Sequence, residues 1–283
     1  MTSLNRKSPV IYSNLNKIAK FFNRHPIAYF VRYALISENF KENDIGDLGC
    51  FSNFNTLASI PKLYFEINEK MAIEGSLDEY DKALQIGKFL RINMKGGTGL
   101  GLSSKKTLEI MLANKGGVCS DFSQIFNIFC FINGIKVKEW GCIDRFYKTE
   151  YGHSFNEIYS SGKQKWIAID THKGIVFTNE AGVPLSAIEL FSELRTGNHV
   201  DFTHYSEYLS PDLHRTPNVF SATTIPFVIS NNKNEVTDYY FEKYQNSLSP
   251  IVINSLILLL RKNHKFIFVM DDYKAKLFPK WMQ

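Results

Sequence analysis

Three residue types that cooperate in nucleophilic catalysis occur in order along this 283-residue chain. Cys119 lies in Lys-Gly-Gly-Val-Cys-Ser-Asp, His153 lies in Gly-His-Ser, and Asp170 ends Trp-Ile-Ala-Ile-Asp. A thiol becomes a strong nucleophile when a nearby base holds it as the thiolate, and a carboxylate can orient that base. The types and order of these residues therefore predict a Cys-His-Asp catalytic set.

The residues around Cys119 favour a reactive thiol. Gly116 and Gly117 permit a sharp turn before it, and the apolar run after it predicts a helix that stops at Asn133-Gly134. A helix that begins at Val118 or Cys119 puts the thiol at its N-terminus, where unpaired N–H groups and the helix dipole favour the thiolate. The N–H of Cys119 can then donate a hydrogen bond to a developing oxyanion.

His153 and Asp170 lie at the ends of predicted strands. The strands are expected over 136–143, 154–159 and 165–170, with a hairpin turn at Ser160-Ser161-Gly162-Lys163. A strand edge that faces the helix N-terminus places the imidazole against the thiol, and Asp170 can then fix its tautomer. His172 is a rival base, which we rank below His153 because it lies past the end of the strand.

The remaining cysteines give no sign of a metal or redox site. Cys130 and Cys142 are expected to be buried and inert, and the role of Cys50, in a predicted loop, is left open. No two cysteines form a Cys-x-x-Cys pair, so neither a structural zinc site nor a redox motif is predicted. We predict no cofactor and no metal, and a reducing, cytoplasmic location.

Several neighbours of the predicted triad carry weaker signals. Asp121 is expected to have a structural role, because a carboxylate in the first helical turn interacts favourably with the helix dipole. Either Asn156 or Glu157, which alternate along a strand, can face the cleft, and Trp166 is expected to pack behind the sheet.

The glycine-rich segment 96–101, Gly-Gly-Thr-Gly-Leu-Gly, resembles a phosphate-binding loop only in part. It lacks the Gly-Lys-Ser/Thr ending of a P-loop. We interpret it as a flexible connection, with a mobile rim beside the active site as the alternative. A second oxyanion donor is expected upstream of the cysteine, from Asn114 or from residues 96–104.

Composition limits the possible partners. Hydrophobic content of 44% and charge of 22% are typical of a soluble globular protein, and the net charge of +5 is spread without a basic run, so no nucleic-acid partner is predicted. The most apolar stretch, 251–260, is about half of the roughly 20 residues that a transmembrane helix needs. Neither a transmembrane segment nor a secretory signal is predicted. The oligomeric state is not predicted.

The chain is expected to form one compact α+β unit in three parts. These are a helical N-terminal region (1–101), a catalytic core (102–178) and a mixed C-terminal α/β extension (179–283). Further helices are predicted in 13–37, broken at Pro26, and over 78–93, 107–113, 184–194, 236–244 and 250–262. Strands are predicted over 225–230 and 265–270, a loop over 40–55, and 60–73 is left undecided.

Three motifs in order carry a family resemblance. Gly-Gly-Val-Cys-Ser-Asp-Phe, Gly-His-Ser-Phe-Asn-Glu-Ile-Tyr and Lys-Trp-Ile-Ala-Ile-Asp resemble the core motifs of the transglutaminase-like superfamily, in a bacterial-type member, over roughly residues 107–174. The resemblance implies a papain-like α+β core in which the nucleophile-bearing helix packs on an antiparallel sheet. By this resemblance Cys119 is the nucleophile, His153 the base and Asp170 the orienting acid.

The resemblance also implies an activity. Members cleave or exchange amides through a thioester acyl-enzyme, so we expect a protease, amidase or deamidase that acts on a peptide or on a sugar carboxamide, the latter in polysaccharide biosynthesis. The chain is far shorter than animal transglutaminases and shows no recognisable calcium loop, so calcium-dependent cross-linking is not expected. Two alternatives stay open: an arylamine N-acetyltransferase-like acyl transferase, and a catalytically inactive module that binds peptide or glycan.

Overall fold

The computed structural model describes residues 26–42, 45–143, 152–205 and 219–278. The first helix expected in 13–37 lies outside these ranges. The described α-helices are α1 (Pro26–Ile36), α2 (Lys62–Met71), α3 (Glu79–Asn93), α4 (Ser104–Leu112), α5 (Cys119–Ile132), α6 (Ala187–Thr196), α7 (Tyr239–Tyr244), α8 (Pro250–Leu259) and α9 (Tyr273–Leu277). The strands are β1 (Ser37–Asn39), β2 (Val137–Ile143), β3 (Gly152–Ser160), β4 (Lys165–Asp170), β5 (Ile175–Asn179), β6 (Val200–His204), β7 (Ile225–Ser230) and β8 (Lys265–Phe268).

One eight-stranded sheet organises these elements, in the order β1-β8-β7-β2-β3-β4-β5-β6. The pairs are antiparallel except for β1 and β8, which run parallel. The three strands predicted around the triad are β2, β3 and β4, and they pair with one another in that order. The predicted α+β class, with a nucleophile-bearing helix on a sheet, is confirmed, although the sheet is mixed rather than wholly antiparallel.

The central helix α5 packs on one face of the sheet. Its residues from Asp121 to Cys130 are all buried, because α2, α3 and α4 cover the sides that the sheet leaves open. Phe122, Phe126 and Phe129 share one core with sheet residues such as Ile158 and Ile167. Burial of each such side chain stabilises the fold by about 1.5–3 kcal/mol, so the helix that carries Cys119 is firmly fixed.

A second, aromatic core covers the opposite face of the sheet. Phe220 lies 4.8 Å from Phe177 and 5.5 Å from Phe155, measured between ring centroids. Helix α6 closes this core and begins with a capping box, in which Ser186 accepts from the Glu189 N–H and Glu189 accepts from the Ser186 N–H. This cap explains why α6 begins at Ala187, later than the start at 184 expected from sequence.

The C-terminal part of the chain completes the central sheet. Strand β7 pairs directly with β2, and β5 and β6 extend the opposite side beyond β4. No helix within the described residues combines the length and apolarity that crossing a membrane requires. The boundaries at 101 and 178 remain predictions.

Some elements differ from the sequence predictions. The undecided stretch 60–73 contains α2, and the N-terminal part, expected to be helical, also contributes strand β1. Strands β5 and β6 were not predicted, since each is only five residues long and the strand pattern is weak there. The helix expected over 236–244 begins as a π-helical turn, Lys233–Asp238, before α7.

Candidate active site

Cys119 is the first residue of α5, as the sequence predicted. Gly117 has a φ of +110°, which favours glycine. A Cβ on Gly117 would also lie 2.7 Å from the sulfur of Met111. Only glycine therefore fits the backbone two residues before the thiol, and this geometry lets the chain turn into the helix.

Asp121 holds the N-terminus of α5 in place. Its Oδ2 accepts from the Val118 N–H at 3.0 Å and from the Leu100 N–H at 3.3 Å. The first bond is one half of a capping box, because Val118 has no side-chain acceptor to supply the other half. The second ties the glycine-rich segment 96–101 to the helix.

The glycine-rich segment is fastened beside the nucleophile. The Gly97 N–H donates to the Gly117 carbonyl at 2.6 Å, and the Gly117 N–H donates to the Thr98 carbonyl at 2.8 Å. Residues 99–102 then line the cleft. The segment therefore forms a hydrogen-bonded rim of the candidate site, the position that the alternative interpretation gave it, while its flexibility stays a prediction.

His153 and Asp170 form a close, buried pair. His153 Nε2 lies 2.6 Å from Asp170 Oδ2, and the two residues are 7% and 0% exposed. The pairing of Asn156 with Ile169 puts Asp170 diagonally across from His153 on the same face of the sheet. Asp170 Oδ1 accepts from the Lys173 N–H at 2.9 Å. With Nε2 engaged, Nδ1 is the ring nitrogen left for the thiol.

Each charged group of Cys119, His153 and Asp170 stabilises the ionised form of its neighbour. Burial alone would raise the pKa of the Cys119 thiol, but the charge and hydrogen bond of His153 and the N–H of Ser154 lower it below its ordinary value. Burial would lower the pKa of His153, yet Asp170 and the Cys119 thiolate raise it. Burial would raise the pKa of Asp170, and His153 outweighs this and lowers it. The geometry thus favours a thiolate–imidazolium pair beside an ionised carboxylate.

A cleft of about 480 Å³ opens in front of the thiol. Cys119 and His153 both line it. Apolar side chains of one packed cluster form a wall: Tyr33, Ile143, Phe227, Ile229 and Phe266. Polar side chains from the C-terminal part of the chain also line it: Asn231, Asn232, Lys233, Asn254, Asn263 and His264.

Comparison with known protein families identifies the superfamily to which the central part of the chain is similar. Residues 67–171 match the family model described as the transglutaminase-like superfamily. This segment belongs to the transglutaminase-like superfamily. The resemblance expected from the motifs is confirmed, and the matched segment begins earlier than the start near 107 that they indicated. Neither the comparison with curated proteins nor that with solved structures found a match. The superfamily contains cysteine-dependent hydrolases and transferases.

The rival base, His172, lies just past the matched segment and apart from the His153–Asp170 pair. Its ring lies 5.2 Å from Phe122 and 6.0 Å from His153, between centroids. The Asp170 carboxylate bonds His153 and the Lys173 N–H instead. Burial first of all lowers the pKa of His172 to about 4, so this ring is neutral near pH 7.

Other residues singled out in the sequence lie away from the cleft. Asn156 faces the central helix and donates to Asn127 Oδ1 at 2.9 Å. Glu157 faces the aromatic core, where it accepts from Trp140 Nε1 at 2.9 Å. Neither lines the cleft. Asn114 accepts from the Lys95 N–H at 2.8 Å and does not line the cleft either, so segment 99–102 is the better source of a second oxyanion donor.

The other cysteines contrast with Cys119. Cys50, Cys130 and Cys142 are buried, and none of the four cysteines forms a disulfide. Burial raises the pKa of Cys50 to about 11 and that of Cys130 well above its ordinary value. Trp166 lies outside the cleft, with the Lys138 ammonium 3.7 Å from the centre of its ring.

Two charged residues near the site were not identified as candidate site residues from the sequence. Arg91 is buried on α3, and its guanidinium lies 5.3 Å from the centre of the Phe122 ring. Glu139 is buried on β2 and lines the cleft. A charged side chain on the buried face of a predicted helix or within an apolar strand is unusual, and this was the signal available for both.

Proposed function

We propose that this protein is a cysteine-dependent amide hydrolase or acyl transferase whose catalytic residues are Cys119, His153 and Asp170. The observation that carries the proposal is the buried 2.6 Å contact between His153 and Asp170, beside a thiol at the N-terminus of a fixed helix. Membership of the transglutaminase-like superfamily supports the same chemistry.

In the first half of the reaction, the Cys119 thiolate attacks the carbon of a substrate carboxamide. The resulting oxyanion accepts from the Cys119 N–H, which makes no hydrogen bond to the described residues, and from an N–H of segment 99–102. The C–N bond then breaks while imidazolium His153 gives its proton to the leaving amine. A thioester on Cys119 and a neutral His153 remain.

In the second half, His153 takes a proton from water or from an acceptor amine as that nucleophile attacks the thioester. The C–S bond breaks, the acid or the new amide leaves, and the thiolate–imidazolium pair is restored. Asp170 stays ionised throughout and holds the Nε2–H of His153, so that Nδ1 keeps facing the sulfur.

The substrate class that fits this chemistry is a carboxamide on a peptide or on a sugar. A sugar carboxamide would be available as a substrate in polysaccharide biosynthesis. We propose a cytoplasmic location, because the four cysteines form no disulfide and a reducing compartment keeps thiols in this state. A catalytically inactive binding module would have no need of a thiol whose pKa is lowered by a buried imidazole.

The test is the alkylation rate of each cysteine by iodoacetamide as a function of pH, read by mass spectrometry. We expect Cys119 to react fast well below pH 8, and we expect His153→Ala to remove this reactivity while His172→Ala retains it. Cys50 and Cys130 are internal controls. Labelling of Cys119 that is as slow as that of Cys50 and indifferent to His153 would refute a catalytic role.

A second measurement separates the possible acyl transfers. Carboxamides are incubated with the wild-type protein and with Cys119→Ser, and the release of ammonia or amine is followed. Hydroxylamine should intercept the thioester as a hydroxamate. A reaction that proceeds only with acetyl-CoA would instead assign the chain the chemistry of an acetyltransferase.

A further inference from the structure

Glu139 is a buried carboxylate with one oxygen held by protein and the other open. The residue is 5% exposed. Its Oε2 accepts from Asn231 Nδ2 at 2.5 Å and from Asn127 Nδ2 at 3.4 Å. Its Oε1 has no hydrogen-bond partner within the part of the chain that the structure describes. Oε1 is not one of the described buried polar atoms that lack a partner, so it is accessible from the cleft, where a donor that enters can replace water.

The open oxygen belongs to the cleft that contains the nucleophile. Glu139 and Cys119 line the same cavity. Asn127 is itself fixed by Asn156, which donates to its Oδ1 at 2.9 Å. Asn231 Nδ2 also donates to Gln124 Oε1 on the central helix. These bonds fix the plane of the Glu139 carboxylate, so that Oε1 is pre-organised for a donor that enters the cleft.

The nearby cation is not that donor. Lys233 is half-buried and lines the same cavity, and its charge stabilises the ionised form of Glu139. It nevertheless forms no ion pair with Glu139 or with any other described carboxylate. The acceptor position at Oε1 is therefore left for a group of the substrate.

We infer that Glu139 is a substrate-recognition residue, whose Oε1 accepts a hydrogen bond from a primary ammonium group of the carboxamide substrate. The inference rests on the proposed function, because it assumes that Cys119 attacks a substrate bound in this cleft. The chemical class that it selects is a carboxamide that also carries a free amine, such as an amino-acid amide or the amide of an amino sugar.

The probes are methanethiosulfonates that differ only in their end group. The Cys119 thiolate attacks the sulfenyl sulfur, a mixed disulfide forms, and methanesulfinate leaves with the bonding electrons. The set consists of the methyl reagent, ω-aminoalkyl reagents with two to six carbons, and their trimethylammonium counterparts. The last two carry the same charge, but only the ammonium donates a hydrogen bond.

Rates are measured at pH 8 by mass spectrometry and are divided by the rate of each reagent with free cysteine. Burial raises the pKa of Glu139 to about 7. The charge of Asp121 also raises this pKa, while the hydrogen bond from Asn231 and the charge of Lys233 lower it. The carboxyl is therefore mostly ionised at pH 8. At one chain length we expect the ammonium reagent to label Cys119 about fivefold faster than its trimethylammonium counterpart, as one added hydrogen bond allows.

The matched variants are Glu139→Gln and Glu157→Gln. The first retains an oxygen for Asn127 and Asn231 but turns an amide NH₂ toward the cleft, so the preference for ammonium should fall to about one. Glu157 is equally buried but is satisfied by Trp140 on the other face of the sheet, so its variant should keep the preference. Circular dichroism checks that both variants fold.

The outcomes are separable. If the methyl reagent labels Cys119 no faster than Cys50, the proposed function itself fails. If the methyl reagent is fast but no chain length prefers ammonium in the wild type, the assignment of Glu139 is overturned, and this result needs no variant. A preference that survives Glu139→Gln overturns it as well.

Discussion

His153 Nε2 and Asp170 Oδ2 lie 2.6 Å apart, and both residues are almost wholly buried. The pair is a consequence of strand register, because β3 and β4 are joined by a tight hairpin that sets which residues are diagonal neighbours. The orientation of the imidazole toward the thiol thus depends on a few residues of local sequence, and its charge depends on Asp170 and the Cys119 thiolate, which outweigh the effect of burial.

Replacement of Asp170 by asparagine should remove most activity without unfolding the protein. The asparagine side chain would retain an oxygen for the Lys173 N–H but would no longer stabilise the imidazolium. We expect turnover to fall by about a hundredfold or more, and the onset of Cys119 alkylation to move to higher pH. The matched control is Asp201→Asn, which alters an exposed His199–Asp201 pair with a separation of 2.9 Å and should leave both quantities unchanged.

Glu139 should make the stability of the fold depend on pH. Its folded-state pKa is raised from 4.5 to about 7 by burial, so the folded state holds this proton more tightly than the unfolded chain does. The stabilisation is therefore complete below about pH 4.5 and is lost as pH rises through about 7. The difference is on the order of 3 kcal/mol.

The measurement is urea unfolding of the wild type and of Glu139→Gln between pH 5 and pH 8. The wild type should lose more stability over this range than the variant does, because glutamine does not titrate. Parallel pH dependence in the two proteins would contradict the prediction.

Gly117→Ala should disrupt the approach to the nucleophile. The new methyl group would meet Met111 at 2.7 Å on a backbone with a φ of +110°. We expect a loss of about 2 kcal/mol or more in the free energy of unfolding, together with slower labelling of Cys119. Gly75→Ala is the control, because a Cβ there meets nothing within 4 Å; an equal effect at both glycines would argue against a special role for Gly117.

Asn231→Ala should weaken the attachment of the C-terminal strands to the central helix. Asn231 bridges Glu139 on β2 and Gln124 on α5, and its removal leaves Gln124 Oε1 without a donor and Glu139 Oε2 with only the long 3.4 Å bond from Asn127. We expect a loss of about 2–4 kcal/mol in thermal or urea unfolding. Asn254→Ala, at an exposed position on α8 with a long 3.3 Å bond to Gly101, should change stability by much less.

The sequence predicted the local parts of this structure well. The helix at Cys119 and the strands around His153 and Asp170 follow from short-range signals: a glycine pair, apolar periodicity and a hairpin turn. The structure brings these three residues together, while their catalytic role stays a prediction.

The parts that could not be predicted depend on long-range pairing. Glu139 reads as one polar residue of a strand, and its position in the cleft arises only because β7 pairs with β2 and brings Asn231 beside it. Arg91 likewise comes close to Phe122 and Asp170 through the packing of α3 on α5. The short strands β5 and β6 gain their stability from the sheet rather than from their own sequence.

The parallel pairing of β1 with β8 has a consequence for biosynthesis. Ser37–Asn39 acquires its partner only when Phe266 to Phe268 have been made, and the apolar wall of the cleft combines Tyr33 with Phe227 and Phe266. On a ribosome, α5 and the His153–Asp170 hairpin emerge long before this wall can close. The thiol is thus synthesised well before the residues up to Phe268 that enclose it, so the nascent chain carries Cys119 for a time without its finished cleft.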